Sequence, residues 1–157
     1  MTSWLVPGDA FPPVYHGARR KVRNVDPAEL QKRDPGFYGR GFYVTTARHY
    51  ARAYGHIISE YRFAPEAVVL DATLRPDEAS PAMVEAVVGH VDRKWREAAR
   101  ARDKEGEFDE ELTRARREPL AWRDALNEYA RDLDVDAVAF SRGEIVVLKP
   151  NSLVFVR

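Results

Sequence analysis

Twenty residues from Gly36 to Gly55, GFYGRGFYVTTARHYARAYG, constrain the fold of this chain more than any other stretch. A glycine-hinged segment leads into the apolar and β-branched run Phe42-Tyr43-Val44-Thr45, and a helical pattern follows at once. Gly36, Gly39 and Gly41 let a ligand lie close against the main chain, an approach that a Cβ obstructs. Thr45 or Thr46 is placed to cap the helix, and Ala47, Ala51 and Tyr54 recur at the spacing of one helical face. A strand, a turn and a helix would then turn Tyr43 and Tyr54 toward each other, forming a slot for a flat aromatic ring. Aromatic residues at this spacing also serve as ordinary core, so the slot must be argued from the rest of the chain.

With 157 residues, 45% of them hydrophobic, the chain is long enough for a single domain with a real core. Its 25 basic and 25 acidic side chains cancel. No overall field draws it to nucleic acid or to an anionic membrane, which leaves only local basic patches for that purpose. The absence of cysteine excludes disulfides, thiolate nucleophiles and cysteine-ligated metals. The start, MTSWLVPGDAF, lacks a basic segment followed by an apolar run, and no stretch approaches the roughly 20 apolar residues of a membrane span. A soluble, cytoplasmic protein with no membrane role is expected.

Residues before Phe11 read as a loose arm, and Pro12-Pro13 set an extended backbone for the short strand Val14-Tyr15-His16, ended by Gly17. Arg19, Arg20, Lys21 and Arg23 follow, and the run from Asp26 to Leu30 reads as a capped helical turn. Ile57 to Phe63 and Ala67 to Ala72 read as the two strands of a hairpin. Ser80-Pro81 starts a helix whose face is Met83, Val84, Val87, Val88, Val91 and Trp95. From Asp92 to Glu118 nine basic residues alternate with nine acidic ones, the pattern of a solvated helical hairpin. Pro119 opens another helix with the face Trp122, Leu126, Tyr129 and Leu133. Strands return at Val135 to Phe140, Glu144 to Leu148 and Leu153 to Val156. Strands at both ends with helices between them predict the α+β class.

Three chemically able residues stand at strands far apart in sequence: His16 before a glycine, Tyr43 between two apolar residues, and Glu144 opening a strand after Arg142-Gly143. Singly, a histidine at a strand end is a structural hydrogen-bonder and a strand-opening glutamate is solvated. Together, Tyr15-His16-Gly17, Gly41-Phe42-Tyr43-Val44-Thr45 with Tyr54 eleven residues after Tyr43, and Glu144-Ile145-Val146-Val147 resemble the three signature regions of ADP-ribosyltransferases of the His-Tyr-Glu type. That group includes diphtheria-type toxins, poly(ADP-ribose) polymerases and small bacterial and phage domains.

The resemblance implies a split antiparallel β-sheet core in a single domain over residues 1–157, with the charged helical segment at about 80–132 as an insertion. It implies NAD as co-substrate and no metal. His16 would bond the ribose hydroxyls, the main chain of Gly17 would hold the carboxamide, and Tyr43 and Tyr54 would stack on the two faces of the nicotinamide, with Ala51 also on the cofactor side. Glu144 would hydrogen-bond the nicotinamide ribose and face its anomeric carbon. Breaking that glycosidic bond develops oxocarbenium-like charge, which a fixed carboxylate favours over the ground state. Arg19 and its neighbours, and Lys32, Arg33 and Arg40, are candidates for the pyrophosphate, which arginine binds with two parallel hydrogen bonds.

Relatives with a Gln or Glu two positions before the catalytic Glu use it to choose the acceptor. Here Arg142 holds that place, so their arginine- or asparagine-modifying chemistry does not transfer simply. The expected activity is mono-ADP-ribosyl transfer to a protein or nucleic acid, as a toxin or a defence or phage effector, with an inhibitory partner or antitoxin in attendance. Two alternatives stand beside it: an NAD glycohydrolase on the same scaffold, and a non-catalytic module whose partner surface is the helical pair from Ser80 to Leu133. An RNA 2′-phosphotransferase normally places basic residues where this chain has Tyr43 and Glu144.

Overall fold

The computed structural model describes residues 4–26, 41–101, 110, 112–140 and 143–157. It is a mixed α+β structure, and the chain divides into two compact units, Met1–Ala72 with Val135–Arg157, and Thr73–Asp134.

The first unit is built on eight strands. They are β1 (Leu5–Pro7), β2 (Val14–Ala18), β3 (Phe42–Thr45), β4 (Ile57–Phe63), β5 (Val68–Asp71), β6 (Ala137–Ala139), β7 (Glu144–Val147) and β8 (Leu153–Phe155). They form one sheet in the order β1-β5-β6-β7-β3-β2-β4-β8. The pairs are antiparallel except β5 with β6, which run parallel. Alternate residues from most of the strands, Val14, Phe42, Val44, Tyr61, Phe63, Val69, Ala137, Ile145 and Val147 among them, form one buried core.

The sheet is curled. Five inter-strand steps separate β5 from β4, roughly 24 Å if the sheet were flat. The connection through residues 64–67 spans no more than about 18 Å when fully extended. The two ends of the sheet are therefore drawn together, and Gly8 seals them. Its N–H donates to the Ala67 carbonyl at 2.7 Å, and a Cβ placed there would lie 2.3 Å from the Ala64 oxygen.

Two sequence expectations change here. The arm before Phe11 is ordered as strand β1 and a 3-10 turn, Gly8–Ala10, because Leu5 to Pro7 pair with Val68 to Leu70. The segments 57–63 and 68–71 are strands but not a hairpin. The curl gives β4 the partners β2 and β8, and gives β5 the partners β1 and β6. Hydrogen bonding runs through all eight strands and includes one parallel pair, β5 with β6. The continuity is narrow at one seam, however. Among the described residues β2 and β3 are registered only at Tyr15↔Thr45, whereas β2 follows β4 from Val14 to Ala18 and β3 follows β7 along its whole length.

The second unit contains α2 (Pro81–Arg100) and α3 (Pro119–Asp132), preceded in the chain by the single turn α1 (Arg48–Ala51) of the first unit. Ser80 caps α2 by accepting from the Met83 N–H at 3.2 Å. Met83, Val87, Val88 and Val91 on α2 are buried, as are Trp122, Ala125, Leu126 and Tyr129 on α3. The indole N–H of Trp122 donates to the Thr73 carbonyl at 3.2 Å. Across the two helices His90 Nε2 lies 2.9 Å from Asp132, and the Lys94 ammonium meets Glu128 at 2.6 Å and Asp132 at 3.1 Å. Arg116, after a helical turn at 112–115, reaches back to Glu85 on α2 at 2.6 Å. Leu133 follows the end of α3 and is exposed, so it does not extend the apolar face. Of the charged stretch, residues 102–109 and 111 lie outside the described residues, as does the expected helical turn beyond Asp26. Among the described residues no helix is long and apolar enough to cross a membrane.

Candidate functional site

The strands carrying His16, Tyr43 and Glu144 are immediate neighbours, in the order β2-β3-β7. Glu144 pairs with Thr45, and Tyr43 pairs with Val146. Directly opposed residues of an antiparallel pair share a face, and residues two apart on a strand share it too. Tyr43, Thr45 and Glu144 therefore project from one face, while Phe42, Val44 and Ile145 point into the core.

Glu144 is placed by its ladder and by the glycine before it. Gly143 has φ +79°, a left-handed conformation natural to glycine, and any Cβ there would also lie 2.5 Å from Thr46 Oγ1. The Gly143 carbonyl accepts from the Thr46 N–H at 2.9 Å, and the Glu144 carbonyl accepts from the Phe140 N–H at 2.8 Å. The start of β7 is thus tied to both flanking segments, and the Glu144 side chain stays half-buried.

Tyr54 reaches this carboxylate from α1. Thr45 and Thr46 do not cap that helix. Its N-cap is Ala47, whose N–H donates to Thr45 Oγ1 at 3.1 Å, and the helix stops after one turn. The chain turns on through Tyr54, whose hydroxyl donates to Glu144 Oε1 at 3.4 Å, the long end of the range for such a bond. Although the side chain is 68% exposed, partial burial holds the phenol pKa above its usual value. The charge and hydrogen bond of Glu144 add to the rise. Two glycines make this docking feasible. A Cβ on Gly17 would lie 1.8 Å from the Ala51 carbonyl oxygen, and one on Gly55 would lie 2.4 Å from the Ala18 backbone. The end of α1 thus rests directly on the end of β2.

His16 stands at the seam where β2 and β3 part, but on the core face: Tyr15, which opposes Thr45, shares the face of Glu144, and His16 alternates with it. Its Nδ1 lies 2.7 Å from the Tyr43 carbonyl, which can only accept, so Nδ1 carries a proton and donates. The ring stacks on Phe42 at a centroid distance of 4.1 Å. The imidazole bridges the main chain of β3, while Tyr54 bridges to β7.

The other sequence candidates divide. Arg19 is exposed just past β2, and Gly17 is buried with its main chain paired to Ile58. Ala51 is buried at 1% exposure, and its carbonyl covers Gly17. Lys21 and Arg23 are drawn into structural contacts, Lys21 with the Ile58 carbonyl and Arg23 over the Phe155 ring at 5.7 Å. His49 and His56 are on the surface. Gly36, Gly39, Lys32, Arg33, Arg40 and Arg142 lie outside the described residues.

No protein-family model matches this chain, and no curated protein does. Its structure is similar to the crystal structure of an anti-CRISPR protein, at TM-score 0.43 and 14% identity, with 98% of this chain and 97% of that one covered.

Sequence reasoning missed the second half of the docking, Gly55, and the conformational demand at Gly143. Each carried a signal: Gly55 ends a helical pattern, and Gly143 stands between two strands at a turn. Tyr50, four residues before Tyr54, is 55% exposed.

Proposed function

We propose that this chain is an NAD-dependent mono-ADP-ribosyltransferase built on an ADP-ribosyltransferase-like sheet. The observation that carries the reading is the Tyr54 hydroxyl at 3.4 Å from Glu144 Oε1, while His16 on the neighbouring strand bonds the main chain of Tyr43 at 2.7 Å. Tyr54 and Glu144 meet on one face of the sheet, and His16, two residues from core Val14 and stacked on Phe42, stands at the seam on the other; they are the residue types that cleavage of a pyridinium ribosyl bond calls for.

In this reading the nicotinamide lies against Tyr43 and Tyr54, whose rings hold it by stacking. His16, fixed by its Nδ1–H on the Tyr43 carbonyl, hydrogen-bonds a ribose hydroxyl. The Glu144 carboxylate accepts from the hydroxyl of the nicotinamide ribose and faces the anomeric carbon. As the C1′–N bond breaks, its electron pair leaves with the nicotinamide nitrogen and positive charge spreads over C1′ and the ring oxygen. A carboxylate already held there by β7 and Gly143 stabilises that charge without reorganising. The acceptor atom then supplies the pair for the new bond to C1′. Arg19, exposed at the end of β2, is the cation nearest in sequence to His16 for the pyrophosphate.

Incubation with NAD labelled in its adenylate moiety, in the presence of cell lysate, tests the reading. The expected result is release of nicotinamide with label on a macromolecule, and a fall of about 10² to 10³ in rate for Glu144→Gln. Nicotinamide released with no labelled product would assign a glycohydrolase instead. No release under saturating NAD would overturn both.

A further inference from the structure

The segment that delivers Tyr54 to Glu144 has a second character. Arg48, His49, Tyr50 and Arg52 are all exposed on α1 and the turn after it, with Tyr50 55% exposed and its ring 4.4 Å from that of His49. Neither arginine is held in an ion pair among the described residues. No acidic residue occurs from Gly41 to Ser59, and the next one, Glu60, is buried and bound to Arg157 at 2.6 Å. A chain whose charges cancel overall thus gathers unpaired arginines and aromatic rings within one short segment beside its candidate carboxylate.

The exposed ring of Tyr50 contributes little to a core and presents a flat face on which another ring can stack. Interleaved cations and rings suit a flexible polyanion with flat faces: guanidinium groups meet phosphates, and rings stack on bases. An acidic peptide would satisfy the arginines but leave the rings without partners of their own shape.

We propose that Arg48, His49, Tyr50 and Arg52 bind single-stranded nucleic acid and that this nucleic acid is the acceptor of the ADP-ribose; the acceptor role rests on the transferase reading, the binding does not. Tyr50 stands four residues before Tyr54, whose hydroxyl meets Glu144, so a strand held on Tyr50 need extend only a short way to bring a base to that carboxylate. The C1′–N bond of NAD breaks with its electrons on nicotinamide. A base nitrogen supplies the pair for the new bond to C1′, and the proton it sheds passes to the Glu144 carboxylate.

The test has two independent readouts on the full chain: fluorescence anisotropy of fluorescein-labelled single-stranded RNA and DNA of mixed sequence, and nicotinamide release from NAD alone. Loss of one stacked base in Tyr50→Ala is expected to weaken binding about 5- to 150-fold, while Tyr50→Phe restores it. If each arginine meets one phosphate, Arg48→Ala with Arg52→Ala reduces the slope of log affinity against log salt by about 1.4. All three variants keep wild-type nicotinamide release, which also reports that they fold. With labelled NAD present, label moves to the oligonucleotide in the wild type and is lost with Tyr50→Ala. Two outcomes overturn the proposal while leaving the transferase reading intact: oligonucleotide binding that is absent or indifferent to these substitutions, or label that goes to protein alone. Nicotinamide release absent from NAD alone, with the oligonucleotides and with cell lysate, while binding is retained, would sink the transferase reading and the acceptor role, and leave the nucleic-acid site standing.

Discussion

A hydroxyl and a carboxylate 3.4 Å apart can hold each other in place without either being spent on the fold. Tyr54 pairs with Glu144 from a turn that two glycines bring within contact of β2, and those glycines are where substitutions should report. Gly17→Ala would set its Cβ 1.8 Å from the Ala51 oxygen, a backbone atom that cannot swing aside. Overpacking of this kind costs about 1 to 3 kcal/mol, and urea denaturation should show at least that loss. Tyr54→Phe keeps the ring and removes only the long hydrogen bond, so nicotinamide release should fall about two- to tenfold with KM little changed. Tyr54→Ala should raise KM as well, because the stacking surface goes with it.

At the scale of elements, legibility followed from whether an element's neighbours are local. Phe42 to Thr45 was readable as a strand because four β-favouring residues stand between Gly41 and a turn. The helix from Pro81 was readable because its cap and its apolar face are both written in adjacent residues. Pairing was not readable. Ile57 to Phe63 and Val68 to Asp71 look like hairpin strands, but the curl of the sheet, which no local pattern expresses, assigns them other neighbours. Of the site, the histidine, the two tyrosines and the glutamate could be named from sequence. The single-turn length of α1 and the glycine contact beneath it could not, because both depend on the packing of β2.

The helical pair gives a pH-dependent test at the same scale. Asp132 accepts from His90 and Lys94, and these hydrogen bonds, His90 first, hold its carboxyl below the usual aspartate range. A carboxylate whose pKa is lower in the folded state contributes stability above its unfolded pKa, and that stability is lost as pH falls through the folded value. Thermal melts of wild type and Asp132→Asn should therefore differ most near neutrality and converge as the pH drops below about 4. Trp122→Ala, removing a fully buried indole and its bond to Thr73, should cost about 3 to 5 kcal/mol at any of these pH values.

Over the whole molecule, the arrangement that matters is a sheet drawn round on itself yet joined at one narrow seam. Gly8 closes the curl, so Gly8→Ala, which forces a Cβ to within 2.3 Å of the Ala64 oxygen, should destabilise the protein even though it lies outside the candidate site. The loss should appear in denaturant midpoint, with kcat of the remaining folded protein unchanged. At the seam, by contrast, β2 and β3 part after one registered pair, and His16 takes the Tyr43 carbonyl. The candidate chemistry sits where backbone pairing gives way to side chains. The most direct measurement of this account is a crystal structure of the Glu144→Gln protein with NAD. The nicotinamide ring should lie between Tyr43 and Tyr54, with a ribose hydroxyl on His16 and the anomeric carbon facing residue 144. A dinucleotide bound anywhere else, or none bound at saturating concentration, would contradict it.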